Sequence, residues 1–212
     1  LRKMKELHDY RKSYQKGALD ESDLSNHWFE LFTDWFEQAD QSDQIEEANA
    51  MHISTLGLDG YPKSRVVLLK SFSAQSLIFF TNYQSEKGRA IARHNKVGVS
   101  FFWPALEKQV IFQGIAEKIP AEASDRYFYS RPVGSQKGAI VSKQSSVIAS
   151  REQLIEDLGR LEDAAIKRPD HWGGYAVEPH SVEFWQGREN RLHDRIRYQK
   201  VNDSWILERL AP

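Results

Sequence analysis

The first clear hydrophobic pattern in the chain has the spacing of an α-helix. Large apolar residues recur every three or four positions, so they fall on one face of a helix with about 3.6 residues per turn. These residues are Trp28, Leu31, Phe32, Trp35 and Phe36. The stripe predicts an amphipathic helix whose aromatic face packs in a core or against a second subunit. Residues 1–20, which precede it, are polar and mildly basic, and we predict that they form an N-terminal arm, with a frayed terminus as the alternative.

After residue 50 the pattern changes to short segments rich in β-branched and aromatic residues, which indicates strands. The first two segments flank Asp59-Gly60, a dipeptide typical of tight turns between strands. Further helices are predicted to begin near Ser85, Pro120 and Ser150, because serine is a good N-cap and proline fits a first helical turn. The predicted strands cover residues 51–58, 64–70, 77–81, 97–103, 109–119, 175–177, 181–185, 191–199 and 205–210.

The order of these elements favours one fold class over another. Strands follow one another at short spacing, and helices are inserted among them rather than alternating with them. This order predicts a mainly β fold with peripheral helices (α+β) around a β-barrel core, and it argues against a doubly wound parallel sheet. Since no linker stands out, we predict a single domain over residues 21–212.

Composition narrows the functional classes without selecting one. The 212 residues are 40% hydrophobic and 28% charged, enough for a sizeable core, and the net charge is -1. Such a chain has no bulk attraction to nucleic acid or to an anionic membrane, so we expect neither as a partner. The absence of cysteine excludes disulfides, thiolate metal sites and a cysteine nucleophile. Since the histidines also lack metal-ligand spacing, we expect no metal.

The hydrophobic pattern also bears on localisation. No apolar run approaches the ~20 residues that span a bilayer. The N-terminus is polar and lacks the apolar segment of a secretory signal. We therefore expect a cytoplasmic protein.

Basic residues inside structured segments are the main candidates for chemistry. If residues 191–197 form a strand, then Arg191, His193, Arg195 and Arg197 share one face. Four such groups repel one another unless solvent or an anion relieves them. The segment is therefore either a solvated strand face or the wall of an anion site, with His193 available for proton chemistry.

Two further segments could bind an anion. Arg65 and Lys70 stand at the two ends of an apolar strand, where they either contact a phosphate or extend from the core into solvent. Lys87 lies just after Ser85, at a predicted helix start, where the helix dipole favours an anion but most such sites bind only water.

A fourth cluster combines hydroxyl and guanidinium groups. Tyr127 and Arg131 are four residues apart, so they would stack on one helical face, and Ser135 follows in a predicted loop beyond Pro132. The set is either a phosphate clamp or an exposed polar face. Gln144 and Ser145 lie in a polar loop, and Trp185 ends a strand, where its ring would either stack on a planar ligand or lie in the core. Together the clusters suit a phosphorylated planar cofactor beside a phosphorylated substrate.

At these segments the chain resembles the pyridoxine/pyridoxamine 5'-phosphate oxidase family. The resemblance runs from about residue 10 to the C-terminus, and its motifs occur in the family's order. SKQSS, and RLHDR following FWQG, are its most specific parts. The matching stretches are RVVLLK (65–70), FTN (80–82), YFYSRP (127–132), SKQSS (142–146), EFWQG (183–187) and RLHDR (191–195).

The resemblance implies a fold, an assembly and a reaction. The fold is a split β-barrel of the FMN-binding type, and the assembly is a homodimer with two flavins at the subunit interface. Hydride passes from C4' of pyridoxine or pyridoxamine 5'-phosphate to N5 of FMN, which yields pyridoxal 5'-phosphate. O2 then reoxidises the flavin to give hydrogen peroxide, and the amine substrate also releases ammonia.

The resemblance also implies residue roles, carried over position by position. The implied FMN contacts are Arg65, Val66, Val67, Leu68, Leu69, Lys70, Phe80, Thr81, Lys87, Gln109, Gln144, Ser145, Trp185 and Arg195. The implied contacts of the substrate phosphate are Lys70, Tyr127, Arg131 and Ser135. Arg191 and His193 match catalytic residues over the substrate ring, and Arg11 and Tyr14 match, loosely, a segment that closes over the site.

The chain departs from the family pattern at Glu86 and in the inexact match of residues 11–14 (RKSY). Glu86 stands where the family commonly has arginine, so we predict that its carboxylate points away from the phosphate and that Arg89 supplies the charge. Strict strand alternation also puts Arg65 and Lys70 on opposite faces, so both can serve one site only if the strand bends or Lys70 lies past its end. Two other functions stay open: a split-barrel flavin oxidase of another planar substrate, such as a phenazine precursor, and a non-catalytic carrier of flavin or pyridoxal phosphate.

Overall fold

The computed structural model describes residues 6–10, 12–20, 22 and 24–212. Over these residues the chain forms five α-helices and nine β-strands. The helices are α1 (Trp28–Asp40), α2 (Glu86–Arg93), α3 (Ala121–Ser130), α4 (Val133–Val141) and α5 (Arg151–Arg160). The strands are β1 (Ala50–Leu56), β2 (Pro62–Leu68), β3 (Ser71–Phe72), β4 (Leu77–Asn82), β5 (Lys96–Trp103), β6 (Lys108–Lys118), β7 (Trp172–Gln186), β8 (Asp194–Val201) and β9 (Ser204–Leu210).

The predicted mainly β character with inserted helices is confirmed, and most local signals act as expected. Ser85 caps α2, because its Oγ accepts the N–H of Gly88 at 3.2 Å. Ser150 caps α5 in the same way. None of the helices in the described part of the chain is long and apolar enough to cross a membrane.

Two element predictions are wrong. The strands predicted over 175–177 and 181–185 form the single strand β7. Pro179 does not interrupt β7, because β7 pairs with β4 only as far as Val177 and the missing N–H removes no bond to that strand. The predicted loop after Pro132 is helix α4, with Ser135 in its first turn.

The chain divides into two compact units, and β5, β6 and β7 contribute to both. The first unit contains the described residues up to Ala48 together with 102–110 and 182–212. The second contains 49–101 and 111–181. The predicted single domain over 21–212 stays a prediction, because compactness does not tell whether either unit folds alone.

The second unit is built on a sheet in the order β2-β1-β5-β6-β7-β4-β3. β1 and β2 form an antiparallel hairpin, and Gly60 in its turn has a φ of 83°, the left-handed region in which glycine is favoured. Alternate residues of the strands face inward, as the period of two requires. The resulting core includes Met51, Ile53, Leu77, Phe79, Val99, Phe101, Phe112 and Val177.

The first unit buries the aromatic face of α1. Phe32 stacks on Trp103 with ring centroids 6.4 Å apart, and Trp35 meets the edge of Phe184 at 5.2 Å. The predicted stripe is therefore core packing within this unit. β8 pairs with β9 in a hairpin, and β8 also pairs with β7.

Candidate active site

The second unit contains a cavity of about 540 Å³, which we call the phosphate cavity. Its walls come from the end of β2, from β4, from the first turn of α2 and from the segment around α3 and α4. Eleven residues predicted to bind cofactor or substrate line it. They are Val66, Val67, Leu68, Lys70, Phe80, Thr81, Lys87, Tyr127, Arg131, Ser135 and Gln144.

Lys70 reaches the cavity because β2 ends at Leu68. The Lys70 N–H donates to the carbonyl oxygen of Ile78 at 2.8 Å, which fixes the backbone beyond the strand end. Strict alternation therefore no longer applies at Lys70, which lies past the end of β2. Arg65 does not line this cavity, so a site shared by Arg65 and Lys70 stays a prediction.

Lys87 is a buried cation that has only neutral hydrogen-bond partners within the described residues. Its Nζ lies 3.3 Å from Thr81 Oγ1 and 3.5 Å from Gln144 Oε1, and the residue is 8% exposed. Burial, and next the positive charge of Arg65, lower the pKa of the Lys87 ammonium. An anion in the cavity would relieve this cost.

Arg131 is a half-buried cation that also lines this cavity. Its Nη1 is buried and has no hydrogen-bond partner in the described part of the chain, and burial lowers the pKa of its guanidinium. The predicted stacking of Tyr127 and Arg131 on one helical face is wrong, because α3 ends at Ser130. Arg131 precedes Pro132 and takes an extended conformation, as residues before proline prefer.

Three aromatic rings form a stack beside these cations. Phe80 lies on Tyr127 with centroids 4.0 Å apart, and Trp172 stacks on Phe80 at 5.5 Å. Sequence reasoning missed Trp172. The following Gly173-Gly174 marks close packing, since a Cβ at Gly174 would lie 2.9 Å from the Phe80 ring, but this pair does not by itself point to Trp172.

Five residues discussed in the sequence analysis lie in the second unit but do not line the phosphate cavity. Arg65 donates from Nη1 to Thr55 Oγ1 and to the Lys63 carbonyl, both at 2.8 Å. Leu69 is buried, and Ser145 is exposed with a left-handed φ of 72°. Glu86 forms an ion pair with Lys63, which lowers the pKa of the carboxyl group. Arg65, Leu69, Ser145, Glu86 and Arg89 are not among the residues that line the phosphate cavity.

The first unit has a separate cavity, which we call the arm cavity. It has a volume of about 620 Å³ and combines arm residues with the segment before β8. Arg191 and His193 lie here, as does Tyr14, whereas Arg11 lies outside the described residues. The lining residues are Tyr10, Lys12, Ser13, Tyr14, Arg188, Asn190, Arg191 and His193.

The predicted strand over 191–199 is wrong at its start, because β8 begins only at Asp194. Asn190 and Arg191 both have a left-handed φ, of 55° and 62°, which a strand does not allow. Two consecutive residues in this region store backbone strain, which is often found at functional sites.

The predicted row of four cations is therefore divided. Arg195 donates from Nε to Glu183 at 2.8 Å, and Arg197 pairs with Glu208 at 2.6 Å. Carboxylates of the chain itself pair with both arginines, and the predicted FMN contact of Arg195 stays a prediction. Gln109, in β6, lines neither cavity.

His193 is held by its backbone and ring neighbours. The N–H of Arg188 donates to His193 Nδ1 at 3.0 Å, so the neutral imidazole carries its proton on Nε2. The ring centroid of His193 lies 4.7 Å from that of Trp185 and 5.7 Å from that of Tyr14, which it meets edge to face. The arrangement presents an N–H donor rather than a base.

A buried carboxylate fastens the arm, and sequence reasoning missed it. Glu107 is 1% exposed, and its Oε2 accepts the backbone N–H groups of Gln15 at 2.8 Å and Lys16 at 3.0 Å. Lys12 Nζ lies 3.3 Å from Oε1. Burial opposes the charged form of Glu107, but the N–H groups of Lys16 and Gln15 outweigh it and lower the pKa of the carboxyl group.

Comparison with family models covers most of the chain. Residues 38–158 match the model described as pyridoxamine 5'-phosphate oxidase. Residues 172–212 match the model described as the pyridoxine 5'-phosphate oxidase C-terminal dimerisation region. The second match supports assembly into a homodimer.

Relatives match along their whole length. A pyridoxine/pyridoxamine 5'-phosphate oxidase of Flavobacterium psychrophilum is 56% identical, and the match covers 99% of this chain and 100% of the relative. The enzyme of the same name from Haemophilus influenzae is 47% identical, with 98% and 100% covered.

Solved structures agree in fold. PhzG of Burkholderia lata, in complex with tetrahydrophenazine-1-carboxylic acid, is 28% identical with a TM-score of 0.85, covering 92% of this chain and 98% of PhzG. An FMN-binding protein of Nostoc punctiforme, related to pyridoxamine 5'-phosphate oxidase, is 14% identical with a TM-score of 0.73 and shows the fold alone, covering 89% and 99%. These likenesses confirm the predicted split-barrel fold. The chain belongs to the pyridoxine/pyridoxamine 5'-phosphate oxidase family.

Proposed function

We propose that the protein is an FMN-dependent oxidase that converts pyridoxine 5'-phosphate or pyridoxamine 5'-phosphate to pyridoxal 5'-phosphate. In this proposal O2 is the final acceptor, and hydrogen peroxide is released, with ammonia from the amine. One observation carries most weight: buried Lys87 and half-buried Arg131 have no carboxylate partner among the described residues, and both line one cavity.

The cavity residues fit FMN. The apolar side chains of Val66, Val67 and Leu68 offer a surface for a flat ring, while Lys87 and Gln144 offer an ammonium and an amide for its polar groups. Bound FMN would supply the two-electron acceptor that protein side chains lack. Burial of Lys87 with only Thr81 and Gln144 as hydrogen-bond partners among the described residues supports an anionic group, such as the FMN phosphate, at that point.

The substrate phosphate has its own set of groups. Lys70 supplies a point charge, Arg131 a planar set of donors, and Tyr127 and Ser135 supply hydroxyl groups. Because phosphate binding fixes the distal end of the substrate, the reacting carbon is held in one position. The clamp therefore serves orientation as well as affinity.

Arg191 and His193 act on the substrate ring in this proposal. The tautomer of His193 favours donation from Nε2 to the oxygen or nitrogen at C4', which orients the group that is oxidised. Arg191 stabilises charge on the pyridine ring. We also propose that the protein works in the cytoplasm as a homodimer with two flavins at the subunit interface.

Oxygen consumption tests the proposal directly. FMN-loaded protein is mixed with pyridoxine 5'-phosphate or pyridoxamine 5'-phosphate, and O2, peroxide and pyridoxal 5'-phosphate are measured. We expect equal amounts of O2 consumed and aldehyde formed with at least one of the two substrates. Tight binding of FMN and of both substrates without any peroxide would instead show a carrier.

A second function rests on the likeness to PhzG, whose structure holds a phenazine acid. A planar substrate without phosphate would then occupy the cavity. The phosphate clamp argues against this second function. A carboxylate on a phenazine ring does not need four polar groups at one end, namely those of Lys70, Tyr127, Arg131 and Ser135. Oxidation of pyridoxine without its phosphate, or of a reduced phenazine acid, at a rate equal to that of pyridoxine 5'-phosphate would favour the second function.

A further inference from the structure

We propose that Trp172 is a positioning residue that holds the guanidinium of Arg131 ready for the substrate phosphate. The inference rests on the proposed function and adds a residue to its phosphate site. The guanidinium carbon of Arg131 lies 4.7 Å from the centre of the Trp172 ring, within the range of a cation–π interaction. Both side chains line the phosphate cavity.

The indole ring holds the cation without using its hydrogen-bond donors. A carboxylate partner would occupy N–H groups of Arg131 and cancel the charge that attracts a phosphate. The face of Trp172 attracts the guanidinium without accepting hydrogen bonds from those N–H groups, and Nη1 of Arg131 has no hydrogen-bond partner within the described residues. Holding a long side chain in place also lowers the conformational entropy lost when the phosphate binds.

Trp172 is itself held firmly. It is 7% exposed and begins β7, where it pairs with Asn82 of β4. Its carbonyl oxygen accepts a bond from Arg168 Nη1 at 2.7 Å, and Arg168 is fixed in turn by Asp125 at 2.6 Å. The backbone of Trp172 is therefore fixed, and its indole ring is largely enclosed.

The same ring links two members of the clamp. Trp172 stacks parallel to Tyr127 with centroids 6.1 Å apart, while Arg131 lies over the indole. At the backbone, Gln136 Nε2 donates to the carbonyl oxygen of Arg131 at 2.7 Å, so main chain and side chain are fixed separately. Removing the ring should therefore weaken phosphate binding more than it slows the chemical step.

A double-mutant cycle tests the inference. Trp172→Leu should raise KM for pyridoxine 5'-phosphate about tenfold, with kcat changed about twofold or less. Trp172→Phe, which keeps an aromatic face, should restore most of the affinity. In the Arg131→Met background, Trp172→Leu should raise KM much less, because only the contact with Tyr127 is then lost. An equal rise in KM in both backgrounds, or no rescue by phenylalanine, would overturn the inference.

Fluorinated tryptophan provides a test that does not depend on folding of the leucine variant. Fluorination weakens the negative face of the indole and leaves its shape nearly unchanged. KM for pyridoxine 5'-phosphate should rise with each added fluorine, and this rise should vanish when Trp172→Phe leaves the other tryptophans labelled. A rise that persists in the phenylalanine variant would contradict the role of Trp172.

Binding of pyridoxal 5'-phosphate, measured against pyridoxal, separates this inference from the proposed function. If the protein binds the phosphorylated aldehyde but oxidises neither substrate, a loss of that binding on Trp172→Leu supports the inference while the proposed function fails. If both substrates are oxidised and the cycle shows no coupling between Trp172 and Arg131, the inference fails while the function stands.

Discussion

The phosphate cavity of the second unit and the arm cavity of the first unit are built in different ways. The phosphate cavity is lined by strand ends, helix starts and the stacked rings of Phe80, Tyr127 and Trp172. The arm cavity is lined by an extended arm and by a turn with two left-handed residues, Asn190 and Arg191. We propose that the residues of the phosphate cavity provide affinity for phosphates. We propose that Arg191 and His193 of the arm cavity act on the pyridine ring of the substrate.

The cations of the two regions follow one rule. Arg188 pairs with Asp194 and Arg195 with Glu183, whereas Arg191 forms no ion pair within the described residues. In the second unit, Lys87 and Arg131 likewise have no carboxylate partner in the described part of the chain. In each cavity, the cations that lack a carboxylate partner among the described residues are those proposed to contact a ligand. Replacing Arg191 should therefore lower kcat, whereas replacing Arg131 or Lys87 should weaken binding.

The largest effect is expected at Arg191. Arg191→Ala should lower kcat about 100-fold or more, because a cation that stabilises developing charge is lost. The dissociation constant for FMN should change less than twofold, since FMN is proposed to lie in the other region. Leu192→Ala, at the exposed neighbouring position, is the control and should leave both quantities unchanged. Unchanged turnover in Arg191→Ala would remove Arg191 from the mechanism.

Arg131→Met should weaken substrate binding more than it lowers turnover. We expect KM for pyridoxine 5'-phosphate to rise about 10- to 100-fold, because charge-assisted hydrogen bonds to the phosphate are lost. The value of kcat should fall less than KM rises. Arg126→Met, on the exposed side of α3, is the matched control. A fall in kcat at unchanged KM would show that the two regions do not divide binding and chemistry as proposed.

A smaller effect is expected at Glu107, which fastens the arm. Glu107→Gln keeps the size of the side chain but removes the charge that the N–H groups of Gln15 and Lys16 contact. The free energy of opening the arm should fall by about 1 kcal/mol. Hydrogen exchange at these two amides measures it, and Glu117→Gln, exposed on β6, is the control.

The pH dependence of the same contact has a definite sign. Because the pKa of Glu107 is lowered in the folded protein, its contribution to the free energy of opening the arm is complete above the ordinary carboxyl pKa. It is lost as pH falls through the lowered value. In the wild type, the free energy of opening the arm, measured by hydrogen exchange at Gln15 and Lys16, should therefore decrease at acid pH. In Glu107→Gln it should not show this decrease. Equal pH profiles for the two proteins would mean that this carboxylate does not hold the arm.

Local signals in the sequence predicted most elements of the fold. The stripe of α1, the turn at Asp59-Gly60 and the cap at Ser85 depend on neighbours a few residues away, and the structure contains all three. Helix α4 was missed because Gly134 and Gly138 lower its helix propensity, so that packing in the second unit must stabilise it.

The missed parts of the site depend on contacts between distant residues. Glu107 and Gln15 are 92 positions apart, and no periodicity connects them. Trp172 lies far along the chain from Phe80 and Tyr127, which it contacts. The left-handed turn at Asn190 was hidden for another reason, because alternating basic residues predict a strand whether or not the backbone adopts one.

The smallest effect, at Lys87, tests the electrostatics of the phosphate cavity. Burial lowers the pKa of the free Lys87 ammonium, and a bound phosphate should raise it again. The contribution of its charge to FMN affinity is therefore complete below the pKa of the free protein and is lost as pH rises through the pKa of the complex. FMN affinity should fall about threefold or more between neutral pH and about pH 10, measured by flavin fluorescence.

Lys87→Arg decides whether this alkaline loss belongs to Lys87. Arginine stays protonated over the whole range, so the variant should bind FMN with an affinity that no longer falls as pH rises. Exposed lysines elsewhere titrate equally in both proteins and cancel in the comparison. If the arginine variant loses affinity with the same pH profile as the wild type, the group that titrates is not Lys87. The buried ammonium would then be a structural partner of Thr81 and Gln144 rather than part of a phosphate site.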